Sequence, residues 1–144
     1  SLDELICLLF PSRGCRTELK PSDIESQLTS LQKKFMSYFD AVSALNTKNK
    51  VDSKTLVEKF WSEIPGIAQL LDTDVAAAFA GDPAAYSHEE VIITYPGFYA
   101  VCIYRIAHAL HQLGIPLLPR LMTEYGHEKT GIDINPGASI GESF

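Results

Sequence analysis

Apolar side chains recur at helical spacing along most of the chain. A stripe covers residues 2–10, before the polar "PSRGC", and a longer stripe follows Pro21. The longer stripe consists of Ile24, Leu28, Leu31, Phe35, Met36, Phe39, Val42 and Leu45. Steps of three or four residues place these side chains on one helix face. We expect Ser22 to be the N-cap of the long helix, and Ser1 with Glu4 to form a capping box for the short one.

The middle of the chain predicts several shorter helices. The polar "NTKNKVDSK" is the clearest loop, and an apolar stripe from residue 56 to residue 64 follows it. We expect Pro65-Gly66 to end that helix, because proline inside a helix removes a hydrogen bond. A further helix is expected over residues 66–72, and then another, capped by Asp72 or Thr73, that ends at Gly81.

The second half carries stronger helix-boundary signals. Ser87 and Glu90 fit a capping box for "SHEEVIITY". Pro96 is expected to begin a long helix that Gly114 closes. Apolar residues surround nearly the whole of that helix, so we expect it to be buried between others. Pro116 is expected to begin a last helix that runs to about residue 128.

The helical spacing stops after Gly131. Ile134 and Ile140 are six residues apart, with Ala138 at a matching inner position. This is the hexapeptide pattern of a parallel β-helix, although a plain loop fits the same residues. Because only part of a coil is present, we expect this tail to be poorly ordered, irregular or held by a neighbouring chain.

Composition narrows the function classes. The chain has 144 residues and a formal net charge of -6, which disfavours nucleic acid as a partner. The longest apolar runs are shorter than the ~18 residues of a membrane helix, so no membrane span is expected. Three cysteines without a CxxC pair, and no basic segment before the first apolar stretch, favour a cytoplasmic location.

Asp82 is the main candidate for chemistry. It precedes Pro83, and the residue before proline avoids the α region. Asp82 is therefore a natural N-cap for a helix that begins at Pro83. The alternative is that its carboxylate faces the ammonium or hydroxyl group of a substrate. The local sequence does not decide between the two.

Other polar residues have plainer explanations. His108 and His111 share a helix face, and a hydrogen-bonded His108 with a more exposed His111 is favoured over a metal site. His127 lies near a helix end, where a protonated histidine interacts well with the helix dipole. Arg105 is a lone charge on an apolar helix, and we expect it to pair with a carboxylate. Cys102 is expected to be an inert core thiol.

Two stretches of the sequence and the chain end resemble parts of a known protein family. They are "GDPAAYSHEEVIITYPGFYAVCIYRIAHALHQLG", "PRLMTEYGHEKTGIDINPGASIG" and "ESF", and they cover residues 81–144. Together they resemble bacterial serine O-acetyltransferases, which are hexapeptide-repeat acyltransferases. The resemblance implies a mainly α chain, with a helical N-terminal domain over residues 1–130. This domain would serve subunit assembly and form the substrate side of the site. Residues 131–144 would then be the first, incomplete coil of a left-handed parallel β-helix.

The resemblance also implies a reaction and partners. Acetyl would pass from acetyl-CoA, a co-substrate, to L-serine, giving O-acetyl-L-serine for cysteine biosynthesis. No permanently bound cofactor is expected, and L-cysteine is the expected feedback inhibitor. A homo-oligomer is implied, as a trimer or a dimer of trimers, and a complex with O-acetylserine sulfhydrylase is a further expectation.

Asp82 is the one site residue that the resemblance carries over, because it matches the Asp of the family's "DPA" run, which contacts substrate serine. The family's catalytic histidines are expected beyond Phe144. We therefore assign no catalytic, cofactor-binding or metal-binding residue in this chain and expect the chain alone to be inactive. Two alternatives stay open: a non-catalytic helical oligomerisation module, and a hexapeptide acyltransferase for another acceptor.

Overall fold

The computed structural model describes residues 2–14, 20–45 and 52–144. These residues contain six α-helices and one short 3₁₀ helix, and none of them is in a β-strand. The elements are α1 (Leu2–Leu9), the 3₁₀ helix (Pro11–Gly14), α2 (Pro21–Leu45), α3 (Ser53–Gly81), α4 (His88–Thr94), α5 (Pro96–Gln112) and α6 (Leu118–Thr130). The predicted mainly α fold is confirmed. None of the described helices is long and apolar enough to cross a membrane.

The predicted break at Pro65-Gly66 is wrong, because α3 continues through both residues as one helix of 29 residues. Asp72 and Thr73 lie inside this helix and cap nothing, whereas its predicted end at Gly81 is confirmed. Buried residues keep helical spacing on both sides of the proline: Leu56, Val57, Phe60, Ile67, Leu71 and Val75. An interior proline costs about 3 kcal/mol. Each buried side chain of this size contributes about 1.5–3 kcal/mol, so the continuous stripe outweighs that cost.

The core lies along α3. At its first half, Phe60 packs against two rings of α2, with centroid distances of 5.2 Å to Phe35 and 6.5 Å to Phe39. At its second half, α3 packs against α5, which also packs along α6. Residues 100–107 of α5 are all buried. The predicted burial of this apolar helix is therefore confirmed.

Two predicted helix starts are wrong by one or two residues. Helix α2 begins at Pro21, so Ser22 is inside the helix and is not its N-cap. Proline suits the first helical position, where its missing N–H has no intrahelical partner. Helix α6 begins at Leu118, because Leu117 has a φ of 61°, outside the right-handed helical region. The predicted capping by Ser1 lies outside the described residues, as does most of the predicted loop, residues 46–51.

Residues 132–144 form neither helix nor strand. Gly131 ends α6 with a φ of 74°, a left-handed conformation that glycine adopts without strain. The chain beyond it runs back over α3 and α5 through the hydrogen bonds described below. This agrees with the expected irregular tail, and the β-helix coil stays a prediction.

Candidate functional site

Asp82 follows the last residue of α3, and no helix begins directly after it. Its φ of -115° and ψ of 103° are extended, and the next helix starts only at His88. The predicted helix N-cap is therefore wrong. The Asp82 carboxylate instead stabilises a turn, because its Oδ1 accepts from the Ala84 N–H at 2.8 Å. The Asp82 carbonyl accepts from the Ala85 N–H at 3.1 Å and closes the same turn.

The second oxygen of Asp82 is held by a tyrosine. The Tyr95 hydroxyl donates to Asp82 Oδ2 at 2.5 Å. This bond, and after it the bond from Ala84 N–H, hold the pKa of the Asp82 carboxyl below its usual value. The same bond raises the pKa of Tyr95 to about 12. At neutral pH Asp82 is therefore an anion and Tyr95 keeps its proton.

The short helix α4 sets the position of Tyr95. The Ser87 Oγ accepts from the Glu90 N–H at 3.1 Å, which confirms Ser87 as the N-cap. The Glu90 carboxylate reaches back to the Tyr86 N–H at 2.6 Å, one residue before its expected partner. Tyr95 then ends α4 and precedes Pro96, the first residue of α5. A capped turn of helix thus places the tyrosine opposite Asp82.

Tyr95 also lines a cavity of about 480 Å³ between α3, α5 and the chain end. The walls are mainly apolar and include Phe98, Val101, Ile134 and Phe144. The one charged side chain among the lining residues is Asp74. The ring of Tyr95 is therefore held by the hydrophobic core, while its hydroxyl reaches the carboxylate of Asp82.

Arg105 and Asp74 form a second polar centre, inside the core. Arg105 Nε lies 2.7 Å from Asp74 Oδ2, and Arg105 Nη2 lies 2.8 Å from Asp74 Oδ1. The side chains are only 4% and 1% exposed. This geometry confirms the prediction that Arg105 pairs with a carboxylate. A two-bond pair of this kind has stronger hydrogen bonds than a neutral pair and a more specific geometry.

The buried pair binds the chain end. Arg105 donates to the Ile140 carbonyl at 3.2 Å and to the Gly141 carbonyl at 2.6 Å. The Phe144 N–H donates to Asp74 Oδ1 at 3.0 Å. The ion pair thus has donors and acceptors beyond its own two bonds, as a buried pair requires.

Three neighbouring side chains hold the same segment. Tyr104 donates to the Ala138 carbonyl at 2.6 Å, and the Ser143 N–H donates to Thr73 Oγ at 3.0 Å. His108 Nδ1 lies 2.8 Å from the Pro136 carbonyl. A carbonyl only accepts, so Nδ1 carries the proton. His108 is half-buried and hydrogen-bonded, which is the structural role that the sequence favoured.

The remaining candidates make none of these hydrogen bonds. His111 is exposed on α5, and His127 is exposed in the last turn of α6. Within the described residues, no group of three or more His, Cys, Asp or Glu side chains is arranged to hold a metal. Cys102 is fully buried, and burial raises the pKa of its thiol to about 12. The predicted core position of this thiol is confirmed, and its low reactivity stays a prediction.

The sequence did not point to Tyr95. Nothing in its local spacing links it to Asp82, since the two residues are 13 positions apart and a helix lies between them. The only available signal was its place at the junction of two predicted helices, directly before Pro96. Thr73, Asp74 and Tyr104 were missed for the same reason, because each acts on a chain segment that is distant in sequence.

Comparison with known proteins identifies related sequences. No protein-family model matches the chain. A serine acetyltransferase of Synechococcus elongatus ("Serine acetyltransferase, plasmid") is 53% identical over 89 residues. The aligned stretch covers 62% of this chain and 28% of that protein.

Solved structures agree with the sequence match. The structure of Entamoeba histolytica serine acetyltransferase 1 in complex with L-cysteine matches 99% of this chain with a TM-score of 0.83 and 38% identity. A serine acetyltransferase in complex with CoA shares the fold with a TM-score of 0.56 and 20% identity. The chain spans about half the length of the first of these structures, 51%, and 63% of the second. The predicted resemblance to serine acetyltransferases is confirmed in both sequence and fold.

Proposed function

We propose that this chain is the N-terminal part of a serine O-acetyltransferase. The full-length protein would transfer acetyl from acetyl-CoA to L-serine and release O-acetyl-L-serine and CoA. The observation that carries the proposal is the match of 99% of this chain, at 38% identity, to a serine acetyltransferase structure. Since the chain spans only half of that structure, the remaining residues of the enzyme would follow residue 144.

The two parts of the chain would then have different tasks. Residues 1–130 would form the helical domain that serves assembly and the substrate side. Residues 131–144 would open a left-handed β-helix, with Gly131 as the boundary. Five side chains that hold this segment support the division: Thr73, Asp74, Tyr104, Arg105 and His108. They fix the direction in which the chain leaves the helices.

Asp82 would bind the substrate serine. Its anionic carboxylate uses one oxygen for Ala84 and the other for Tyr95. A carboxylate has about four acceptor positions, two on each oxygen. Because each oxygen of Asp82 already accepts one hydrogen bond, each has one position left for a donor of the substrate. The ammonium or hydroxyl of serine is a suitable donor. A substrate fixed in this way reacts faster because its orientation is already set.

The catalytic base would come from residues after residue 144. A histidine there would remove the proton of the serine hydroxyl as its oxygen attacks the thioester carbonyl of acetyl-CoA. An adjacent carboxylate would orient the imidazole and stabilise its charged form. The proton would then pass to the sulfur of CoA as the carbon–sulfur bond breaks. Residues 1–144 alone would bind substrate without catalysing this transfer.

Ligands and partners follow from the same proposal. One related structure contains L-cysteine and another contains CoA. We extend these to L-cysteine as feedback inhibitor and acetyl-CoA as co-substrate, with no permanent cofactor. A cytoplasmic homo-oligomer and a complex with O-acetylserine sulfhydrylase complete the proposal.

The test is the release of CoA by the full-length protein. CoA thiol is measured after mixing with acetyl-CoA and either L-serine, a sugar or an amino-sugar antibiotic. Release that depends on L-serine supports the proposal. Release of CoA only with another acceptor would indicate an acyltransferase for that acceptor instead. If no acceptor gives CoA release, the non-catalytic helical assembly module becomes the favoured function. Residues 1–144 alone, as the matched control, should release none.

A further inference from the structure

We infer that Tyr95 is a positioning residue for Asp82: its hydroxyl holds the carboxylate in one rotamer, with free lone pairs toward the substrate. The inference rests on the proposed function. It assigns a role to a residue that would not itself contact serine. The observation behind it is the 2.5 Å bond from Tyr95 Oη to Asp82 Oδ2.

The backbone of Tyr95 is fixed on both sides. Its N–H donates to the Val91 carbonyl at 3.1 Å, and its carbonyl accepts from the Tyr99 N–H at 3.2 Å. Pro96 follows and restricts Tyr95 to an extended conformation, which it has, with a φ of -81° and a ψ of 113°. Its ring is half-buried against the core. The hydroxyl therefore has a defined position to which Asp82 is bound.

Among the described residues, Tyr95 is the one side chain that orients the Asp82 carboxylate. Within the described residues, its carboxylate bonds only the Ala84 N–H and the Tyr95 hydroxyl, and no Lys or Arg pairs with it. A neutral donor fixes the carboxylate but leaves its charge uncompensated. An arginine in the same place would fix it equally well and cancel the charge that attracts an ammonium group. A tyrosine suits a carboxylate that has to bind a cationic substrate.

The protonation states agree with this role. The bond to Asp82 raises the pKa of Tyr95 to about 12, so the hydroxyl remains a donor at any physiological pH. The same bond lowers the pKa of Asp82 and keeps it ionised. Neither group changes its charge over the range in which an enzyme of this kind would work. The pair is therefore a fixed element and not a proton relay.

The experiment uses the full-length protein with Tyr95→Phe, Asp82→Asn and the double variant. Tyr86→Phe is the matched control, because Tyr86 is 91% exposed and its hydroxyl bonds nothing in the described part of the chain. We expect Tyr95→Phe to raise the KM for L-serine about tenfold, as loss of a hydrogen bond to a charged group does. The KM for acetyl-CoA and kcat should change less than about twofold. Tyr95→Phe should add nothing in the Asp82→Asn background, because its effect passes through Asp82.

The outcomes separate the two claims. A wild-type protein without serine-dependent activity overturns the proposed function. An active wild type whose serine KM is unchanged by Tyr95→Phe, or a double variant with additive effects, overturns the role of Tyr95. Should Tyr95→Phe fail to fold, Asp82→Glu takes its place, since it keeps the charge but moves it one methylene from the position that Tyr95 fixes. An unchanged serine KM in that variant would contradict the inference equally.

Discussion

Arg105 and Asp74 form a buried two-bond ion pair that joins α5 to α3 and also binds the chain beyond α6. Each partner makes further bonds to the backbone of residues 140–144. Burying two charges is costly, and removal of one partner leaves the other uncompensated. The pair therefore makes the path of the chain end depend on the packing of two helices.

Arg105→Met should be strongly destabilising. Methionine keeps much of the side-chain volume but leaves the Asp74 carboxylate buried without its cation, at a cost of about 3–5 kcal/mol in the free energy of unfolding. Urea unfolding measures this cost. Hydrogen exchange should also show faster exchange of the Phe144 amide, whose acceptor is Asp74.

The matched control is Arg120→Met, which breaks the exposed pair of Arg120 with Glu124 on α6. An exposed pair of this kind contributes at most about 1 kcal/mol. Equal losses in the two variants would contradict the structural role of the buried pair. The double variant Arg105→Met with Asp74→Leu should recover part of the stability, because it leaves no unpaired charge.

Gly131→Ala should destabilise the protein by about 1 kcal/mol. Gly131 has a φ of 74°, a left-handed conformation that costs an alanine about 1–2 kcal/mol. No atom lies within 4 Å of a Cβ added there, so only backbone strain is tested. Thermal unfolding reports the change as a lower Tm.

Gly66→Ala is its control and should have the opposite effect. Gly66 is exposed inside α3 and also has open space around a new Cβ. Alanine there favours the helix by about 0.5–1 kcal/mol. A stabilising Gly131→Ala would show that the chain does not turn at Gly131 as the structure has it.

Local signals in the sequence predicted the features of the fold that depend on interactions between neighbouring residues. The cap at Ser87 and the end of α3 at Gly81 need only neighbouring residues, and both predictions held. Pro65 also gave a local signal, but there tertiary burial on both sides of it decided the outcome. Asp82 was read as a helix cap from its proline neighbour, and the residues after it form a turn instead.

The spacing of residues along the sequence does not predict which distant residues contact each other. The sequence predicted that Arg105 needs a carboxylate, yet any of several acidic residues would have satisfied that rule. Only the packing of α3 on α5 selects Asp74. Likewise, the resemblance to a known family identified Asp82 as a site residue. Its partner Tyr95 could be identified only from the structure, in which α4 brings the two side chains together.

Stability should fall in alkali as the buried thiol ionises. Burial raises the pKa of Cys102 from 9.0 to about 12. A raised folded pKa means that the contribution is fully present below pH 9.0 and is lost as the pH rises from 9.0 toward 12. Urea unfolding over that range, compared with Cys102→Ala, measures it. The variant lacks the thiol and should lose less stability with rising pH, whereas identical pH profiles would argue against a deeply buried thiol.

The central claim is that Asp82 binds the acceptor substrate of a serine O-acetyltransferase, and the serine KM of Asp82→Asn in the full-length protein tests it most directly. Asparagine keeps the shape and removes the charge, and Asp72→Asn is the control on the exposed face of α3, the helix that Asp82 follows. The account predicts a rise of about tenfold or more in the KM for L-serine with an unchanged KM for acetyl-CoA. A change confined to the acetyl-CoA KM, or no change in either constant, would contradict it.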